Sequence, residues 1–230
     1  MQLSERLNTV ASLIPKCKTL ADVGTDHGYL PIYCLQNDIC KRAIAMDINK
    51  MPLEKSRQNI EKYGMSEYAE TRLSDGFEKL KYCEADCIVT AGMGGLLIAD
   101  ILKKGKHAFG ENTVLIFQPM IAVRELREYL YLNGYTVLKE CVCREENKYY
   151  NIISAVFKNT EYNLEDIVLG HNLSAVGKCT LKDYYDYKIR VNTKILNGLK
   201  SAIVADYERI KICTQELELY NCARRELKNE

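Results

Sequence analysis

The sequence predicts an α/β fold, a Rossmann-like parallel sheet that ends in an antiparallel hairpin and is followed by a pair of helices. Three observations support this prediction. Short apolar runs alternate with helical segments along the first half of the 230 residues, which is the order of strand–helix–strand units. Two alternating runs at 135–143 and 149–157 with a polar connection predict a hairpin. From Leu181 onward the chain is charged, helical in its spacing and free of proline.

The segments before the hairpin can be assigned in order. Residues 3–14 have apolar side chains at helical spacing and stop at Pro15, which predicts a lead-in helix. Five apolar runs predict strands buried in a parallel sheet, and the amphipathic segments that follow four of them predict helices. The predicted strands are 19–23, 42–48, 70–73, 85–91 and 113–118, and the predicted helices are 29–37, 51–63, 96–103 and 123–132.

The C-terminal segment predicts two long antiparallel helices. Apolar residues recur at helical spacing along 184–199 and again along 210–220, with a turn expected between 197 and 206. We therefore expect two units, a sheet domain over 1–160 and a helical, coiled-coil domain over 161–230. The exposed cations of this segment form either a solvated face or a binding surface. They are Lys178, Lys182, Lys188, Arg190 and Lys194.

Composition excludes several classes of protein. A hydrophobic content of 47% with 27% charged residues is that of a globular chain rather than a disordered one. No apolar run approaches the roughly 18 residues that span a membrane, and the first 14 residues lack the features of a signal peptide. We expect a cytoplasmic protein without a membrane partner. The net charge of +1 means that a nucleic-acid partner would need a local basic patch.

The ten cysteines do not predict a disulfide framework, because they are spread through periodic segments of a chain that is not small. The pairs Cys83/Cys87 and Cys141/Cys143 lack the spacing of a structural zinc site. Buried thiols are favoured over metal ligands, so we expect no metal.

We also expect a monomer or a weakly associated protein.

The turn after the first predicted strand is the first candidate site, because ligands of a parallel sheet bind at the carboxyl ends of its strands. Its glycines, Gly24 and Gly28, lack the pattern that cradles a pyrophosphate. S-adenosylmethionine carries no phosphate, and Thr25, Asp26 and His27 would face its ammonium, carboxylate and ribose. The alternative is a structural turn without a ligand.

Acidic residues follow the second and third predicted strands. Asp47, with Ile48 beside it, is placed to accept both ribose hydroxyls of a nucleoside, or else caps the next helix. Asp75 and Gly76 form either an ordinary turn or an acceptor for the adenine amino group of a cofactor.

A third loop follows the fourth predicted strand. Ala91, Gly92, Met93 and Gly94 lead into Gly95 and a helix. Three glycines in four residues suggest backbone brought close to a flat ligand or base. The alternative is a helix entry, which needs only one glycine.

Several of these motifs resemble those of a bacterial tRNA (adenine-22-N1)-methyltransferase family. The resemblance rests on residues 21–33 (ADVGTDHGYLPIY), 91–95 (AGMGG), 126–130 (LREYL) and the pair Gln118-Pro119. It extends over nearly the whole chain, including the helical pair, which is similar to the family's coiled-coil domain. It implies a class I methyltransferase that uses S-adenosylmethionine on adenine 22 in the D-arm region of tRNA. Two positions depart from the family pattern, Met120 in place of an asparagine and Asp47 in place of the more frequent glutamate.

The resemblance also implies roles for individual residues. Adenine N1 has a lone pair and no proton, so the reaction requires positioning rather than a strong base. Asp26 either stabilises the charge that develops on the base or pairs with the cofactor's ammonium. We expect the base to contact Tyr29, Met93, the backbone of Gly92 to Gly94, and the pair Gln118 and Pro119. Phosphates would contact Arg124, Arg127 and the C-terminal cations.

Other functions remain as alternatives. One is a methyltransferase that acts on a small molecule or a protein, and another is a non-catalytic module that binds the cofactor or RNA. A nicotinamide dehydrogenase is disfavoured because the pyrophosphate-binding glycine pattern is missing.

Overall fold

The computed structural model describes residues 1–202, 204 and 206–227. The strands are β1 (Cys17–Val23), β2 (Cys40–Asp47), β3 (Ala69–Leu73), β4 (Cys87–Met93), β5 (Val114–Pro119), β6 (Thr136–Glu145), β7 (Lys148–Val156) and β8 (Leu173–Val176). The helices are α1 (Glu5–Leu13), α2 (Tyr29–Gln36), α3 (Lys50–Lys62), α4 (Gly95–Lys104), α5 (Val123–Leu132), α6 (Leu164–Val168), α7 (Leu181–Lys200) and α8 (Tyr207–Glu226). All of the predicted elements are present, with ends that differ by a few residues.

The eight strands form one sheet in the order β3-β2-β1-β4-β5-β7-β6-β8. Strands β1 to β5 are parallel, and the β6–β7 hairpin inserts β7 antiparallel to β5. The predicted α/β fold with a terminal antiparallel hairpin is therefore confirmed. The chain leaves β1 toward β2 on one side and returns to β4 on the other, so β1 and β4 flank the point at which ligands bind in such sheets.

Helices cover both faces of the sheet, and the strand residues alternate between the two cores. Ile88 and Phe117 pack with α4 and α5 on one face. Val89 and Ile116, their neighbours in sequence, pack with α1 and α2 on the other. Since both faces are buried, the strands are apolar at successive positions rather than at alternate ones.

Helix α1 is anchored at the edge where the parallel strands end. The Ser4 hydroxyl accepts a hydrogen bond from the backbone N–H of Leu7, which caps the helix. The backbone N–H of Arg6 donates to Oε2 of Glu145, the last residue of β6, at 2.8 Å. The first turn of α1 therefore lies beside the carboxyl ends of the strands, although α1 precedes β1 in the sequence.

Two elements in residues 162–176 were not predicted. Helix α6 begins with a reciprocal cap between Asn163 and Asp166. Strand β8 then pairs in parallel with β6 and extends the sheet. The division at residue 160 stays a prediction, and β8 shows that the sheet draws on residues beyond it.

Helices α7 and α8 pack antiparallel, as predicted. The Cys213 thiol donates to the carbonyl of Asn192, and Arg224 pairs with Asp186 at 2.7 Å. The Tyr220 hydroxyl donates to the Val168 carbonyl and attaches α8 to α6. The connection lies between Lys200 and Tyr207, within the predicted interval, and two residues of that interval, 203 and 205, lie outside the described part of the chain. None of the described helices has the length and apolar character needed to cross a bilayer.

Candidate active site

A cleft of about 520 Å³ opens at the carboxyl edge of the sheet, between the loops that follow β1 and β4 and the first turn of α1. Eight of the residues predicted for the site line it. They are Gly24, Thr25, Asp26, His27, Gly28, Tyr29, Ala91 and Gly92. Asp22, Arg6 and Glu145 complete its walls. The structure therefore brings together the first and third loops that the sequence identified.

The loop after β1 is fixed by its own backbone. The N–H groups of Gly24 and Thr25 both donate to the Met46 carbonyl of β2, at 2.8 and 2.9 Å. The Gly28 N–H donates to the Thr25 hydroxyl, and Gly28 begins α2 with a φ of +68°. A side chain at that left-handed position would be strained. These bonds give the cleft a floor of fixed backbone.

Asp22 lies at the base of the cleft and is almost completely buried. Burial raises the pKa of its carboxyl group to about 6, while a hydrogen bond from Thr25 opposes the rise and the charge of Asp47 adds to it. A cation bound in the cleft would favour the ionised carboxylate. Asp22 was not among the predicted site residues, although it stands within the most specific motif.

Asp26 has a different environment from Asp22. Its side chain is 70% exposed at the rim of the cleft, and its Oδ2 lies 3.0 Å from Nε2 of His27. The His27 ring stacks on Tyr29, with ring centroids 5.2 Å apart. The three side chains thus form a polar and aromatic rim, to which an incoming group has access.

Gln118 is fully buried, which corrects the prediction that it contacts substrate. Its Oε1 accepts hydrogen bonds from Nη1 of Arg6 at 2.6 Å and from the Gly92 N–H at 3.1 Å. Its Nε2 donates to the Pro119 carbonyl and approaches Sδ of Met120 at 3.5 Å. Every polar atom of the amide is therefore used inside the protein, and Pro119 is buried beside it.

Arg6 is a second residue of the cleft, besides Asp22, that the sequence analysis did not identify. It lines the cleft, and its guanidinium also lies over the ring of Tyr150, 5.8 Å from the centroid. No motif contains it, and its partner Gln118 is 112 residues away. The only available signal was an arginine in the lead-in helix, which carries no information without the fold.

The glycines of the loop after β4 serve separate purposes. Gly92 is exposed at the cleft with a φ of +81°. Gly95 is buried, and a Cβ there would collide with the Ala122 carbonyl, so it permits α4 to approach the loop before α5. Met93 is half-buried with its methyl group against Gly24, and Gly94 borders Ile121. The glycine run is thus partly a matter of packing, as the helix-entry alternative requires.

The predicted adenosine residues do not line this cleft. Asp47 ends β2 at the same edge and accepts the Asn49 N–H at 2.6 Å, and Ile48 is exposed. Asp75 and Gly76 line a separate cavity of about 490 Å³ together with Asp100 and Lys104. Their assignments to ribose and adenine stay predictions.

Arg127 is not available to phosphate, which corrects a second prediction. It is 1% exposed and donates to Oε1 of Glu140 at 3.1 Å and to Oε2 at 2.7 Å. It also donates to the carbonyls of Ile167 and Val168. A buried cation must be paired in this way, so Arg127 joins α5, β6 and α6. Arg124 is half-buried with its Nε 2.9 Å from Glu216 of α8, and its role stays a prediction.

The described residues contain no group of three or more histidine, cysteine or acidic side chains suited to a metal ion. All ten cysteines are free. Burial raises the pKa of Cys17 to about 11 and that of Cys40 to about 12. These thiols stay protonated and uncharged at neutral pH. They therefore pack as small apolar side chains.

Comparison with known proteins identifies relatives of the sheet domain. Residues 3–153 match a family described as a methyltransferase domain. The tRNA (adenine(22)-N(1))-methyltransferase of Bacillus subtilis (strain 168) is 41% identical over 155 residues, which span 67% of this chain and 65% of that enzyme.

Solved structures extend this similarity to the C-terminal helices. The crystal structure of the B. subtilis m1A22 tRNA methyltransferase superposes with a TM-score of 0.82 at 30% identity, covering 97% of this chain and 99% of that one. A putative tRNA (m1A22) methyltransferase from Streptococcus pneumoniae, in complex with S-adenosyl-L-methionine, gives a TM-score of 0.78 at 27% identity, with 97% and 100% covered.

Proposed function

Since this chain belongs to the methyltransferase-domain family, and within it to the tRNA (adenine(22)-N(1))-methyltransferases, we propose that it transfers a methyl group from S-adenosylmethionine to N1 of adenine 22 in tRNA. The observation that carries the proposal is the cleft beside β1 and β4, which has a buried carboxylate at its base and a fixed guanidinium on its wall. The first motif, which is the most specific part of the resemblance, forms the floor of this cleft.

The charges of the cleft fit the amino-acid end of S-adenosylmethionine. Asp22 is placed to accept the ammonium group, and Arg6 is placed to hold the carboxylate. The Gln118 oxygen holds the guanidinium in place before any ligand arrives, which lowers the entropic cost of binding. Asp47 and Asp75, which follow the next two strands, are then placed toward the adenosine end, for its ribose hydroxyls and its amino group.

This arrangement favours one of the two roles considered for Asp26. Because the buried Asp22 supplies a partner for the ammonium, the exposed Asp26 remains free to face the substrate. When bound, S-adenosylmethionine supplies an electrophilic methyl carbon. Adenine N1 carries a lone pair, so the protein needs to position it in line at about 3 to 3.5 Å. Asp26 then stabilises the positive charge that develops on the base.

The base itself must be unpaired, since N1 lies on its Watson–Crick edge. Tyr29, which stacks on His27 at the rim, and Met93, whose methyl group lies against Gly24, offer surfaces against which the ring packs. The backbone of Gly92, which is exposed at the cleft, and that of the half-buried Gly94 offer groups for its edge. The tRNA body would contact cations at the surface, Arg124 and the C-terminal set among them. A cytoplasmic location and a monomeric or weakly associated state accompany this proposal as predictions.

The test is transfer from labelled S-adenosylmethionine to unmodified tRNA, followed by nucleoside analysis. The proposal expects the label in 1-methyladenosine. Parallel incubations with peptides and small amines address the alternative substrates. Label in those, with none in tRNA, would contradict the proposal. Cofactor binding without transfer to tRNA would favour the non-catalytic module.

A further inference from the structure

A polar groove of about 490 Å³ lies where the β6–β7 hairpin meets α7. We call it the hairpin groove. The hairpin contributes Arg144, Asn147 and Tyr149, and α7 contributes Asp183, Asp186, Tyr187 and Arg190. The methyl-transfer chemistry proposed for the cleft uses none of these residues.

Two arginines of the hairpin groove are stacked on two tyrosines. The guanidinium of Arg144 lies over the ring of Tyr149 and that of Arg190 over the ring of Tyr187, each 5.8 Å from the centroid. The two rings contact each other, with centroids 4.9 Å apart. Both arginines are exposed and both tyrosines are half-buried. One face of each guanidinium thus packs on a tyrosine ring, while the N–H groups remain accessible to a ligand.

The two acidic residues of the groove make hydrogen bonds to residues outside it. Asp186 accepts from Arg224 of α8 at 2.7 Å. Asp183 accepts from the Thr180 hydroxyl at the start of α7, also at 2.7 Å. Among the described residues, no salt bridge of 4.0 Å or less involves Arg144 or Arg190. Within the described part of the chain, the guanidinium groups of Arg144 and Arg190 are therefore oriented by the tyrosine rings and not by a carboxylate in direct contact.

The hairpin groove lies at the same edge of the sheet as the cleft. Arg144 directly precedes Glu145, which lines the cleft and accepts from the N–H of Arg6. Strand β6 runs in the same direction as β5, so its end lies at the same edge of the sheet as the cleft. The groove and the cleft therefore lie at the same edge of the sheet, on opposite faces of β6, because successive side chains of a strand alternate.

We propose that the hairpin groove binds the sugar–phosphate backbone of the tRNA beside the target adenine, with Arg144 and Arg190 each donating to a phosphate. The inference rests on the proposed function. Phosphate is favoured over a stacked base because the tyrosine rings are already in contact with the guanidinium groups and with each other. Paired N–H donors in a plane match phosphate oxygens.

The test compares charge-removing variants in the full-length protein. In the double variant R144Q/R190Q the Kd for tRNA should rise about tenfold at physiological salt. The salt dependence of log K should become shallower by about two, one for each phosphate contact. The matched control K16Q/K18Q removes the same charge from the opposite edge of the sheet, where both lysines are exposed, and should change neither quantity by more than about twofold.

A second variant separates orientation from charge. R144K/R190K keeps both charges, so it should retain the salt dependence while losing part of the affinity, because an ammonium group does not bind phosphate through two parallel bonds. Binding of S-adenosylhomocysteine should be unchanged in every variant. If R144Q/R190Q binds tRNA as the control does, the inference is wrong. Methylation by the wild-type protein reports on the proposed function separately.

Discussion

Nη1 of Arg6 donates a 2.6 Å hydrogen bond to Oε1 of Gln118, so the first helix and the end of the fifth strand meet at the wall of the cleft. The same oxygen accepts the N–H of Gly92, the exposed glycine of the loop after β4. One buried amide therefore fixes both a cation and a backbone turn. In the proposed function, the amino-acid end of the cofactor would thus meet groups that are organised before it binds.

Replacement of Arg6 tests this recognition. Arg6→Met should weaken binding of S-adenosylhomocysteine roughly 10- to 100-fold, as expected for a lost hydrogen bond to a charged group. Methylthioadenosine has no carboxylate, so its affinity should be the same in the variant and in the wild type. Calorimetric titration of both ligands gives the comparison. An equal loss for the two ligands would mean that Arg6 supports the fold of the cleft rather than the carboxylate.

Asp22 predicts a pH dependence with a defined sign. Its pKa is raised from 3.8 to about 6 in the folded protein, so the folded state binds more protons than the unfolded state between these values. The contribution to stability is fully present below pH 3.8 and is lost as pH rises through 6, by roughly 3 kcal/mol. Asp22→Asn should flatten the urea-unfolding free energy across this interval.

Ligand binding should have the opposite pH dependence, because only the ionised Asp22 carboxylate attracts an ammonium group. Affinity for S-adenosylhomocysteine should increase as pH rises through 6 in the wild type and be flat in Asp22→Asn. A wild-type affinity that does not change between pH 5 and pH 7 would remove Asp22 from cofactor recognition.

The sequence was sufficient for the sheet and for its loops because these depend on local patterns. Apolar runs fix β1 to β5, and glycines mark the turns at Gly24 and Gly28. The hairpin was recognisable from its alternation. Strand β8 was not, since its four residues are half-buried at the edge of the sheet and carry no clear period. The cap of α6, by contrast, could have been read from Asn163 and Asp166.

The structure differs from the sequence prediction at Arg127 and Gln118, because the partners of these side chains are set by long-range packing. Arg127 stands in a motif and was assigned to phosphate, but Glu140, 13 residues away, takes its charge inside the protein. Gln118 was assigned to substrate, but Arg6 and Gly92 use its oxygen. In both cases the residue type indicates which hydrogen bonds or ion pairs the side chain can form, but only the fold shows which partner forms them.

The buried pair of Arg127 and Glu140 predicts a loss of stability. Arg127→Met leaves the Glu140 carboxylate buried without its partner and should lower the free energy of unfolding by about 3–5 kcal/mol. Urea unfolding measures this loss. A variant that unfolds within 1 kcal/mol of the wild type, with a shallower salt dependence of tRNA binding, would return Arg127 to the phosphate-binding surface.

Asp26 is expected to act on turnover rather than on folding. Asp26→Ala should abolish methylation and leave the unfolding free energy unchanged, because the side chain is exposed. Affinity for S-adenosylhomocysteine should also be retained, since Asp22 takes the ammonium. Single-turnover kinetics at saturating cofactor measure the effect. Near-normal turnover would exclude Asp26 from the mechanism, and weakened cofactor binding would assign it to the ammonium instead.

The site of modification tests the central claim most directly. A methyl group at N1 blocks Watson–Crick pairing, so reverse transcription of a treated, previously unmodified tRNA should stop beside position 22. A transcript in which guanine replaces this adenine should show no such stop and should acquire no label from the cofactor. Equal labelling of the two transcripts, or a stop elsewhere in the tRNA, would contradict the assignment.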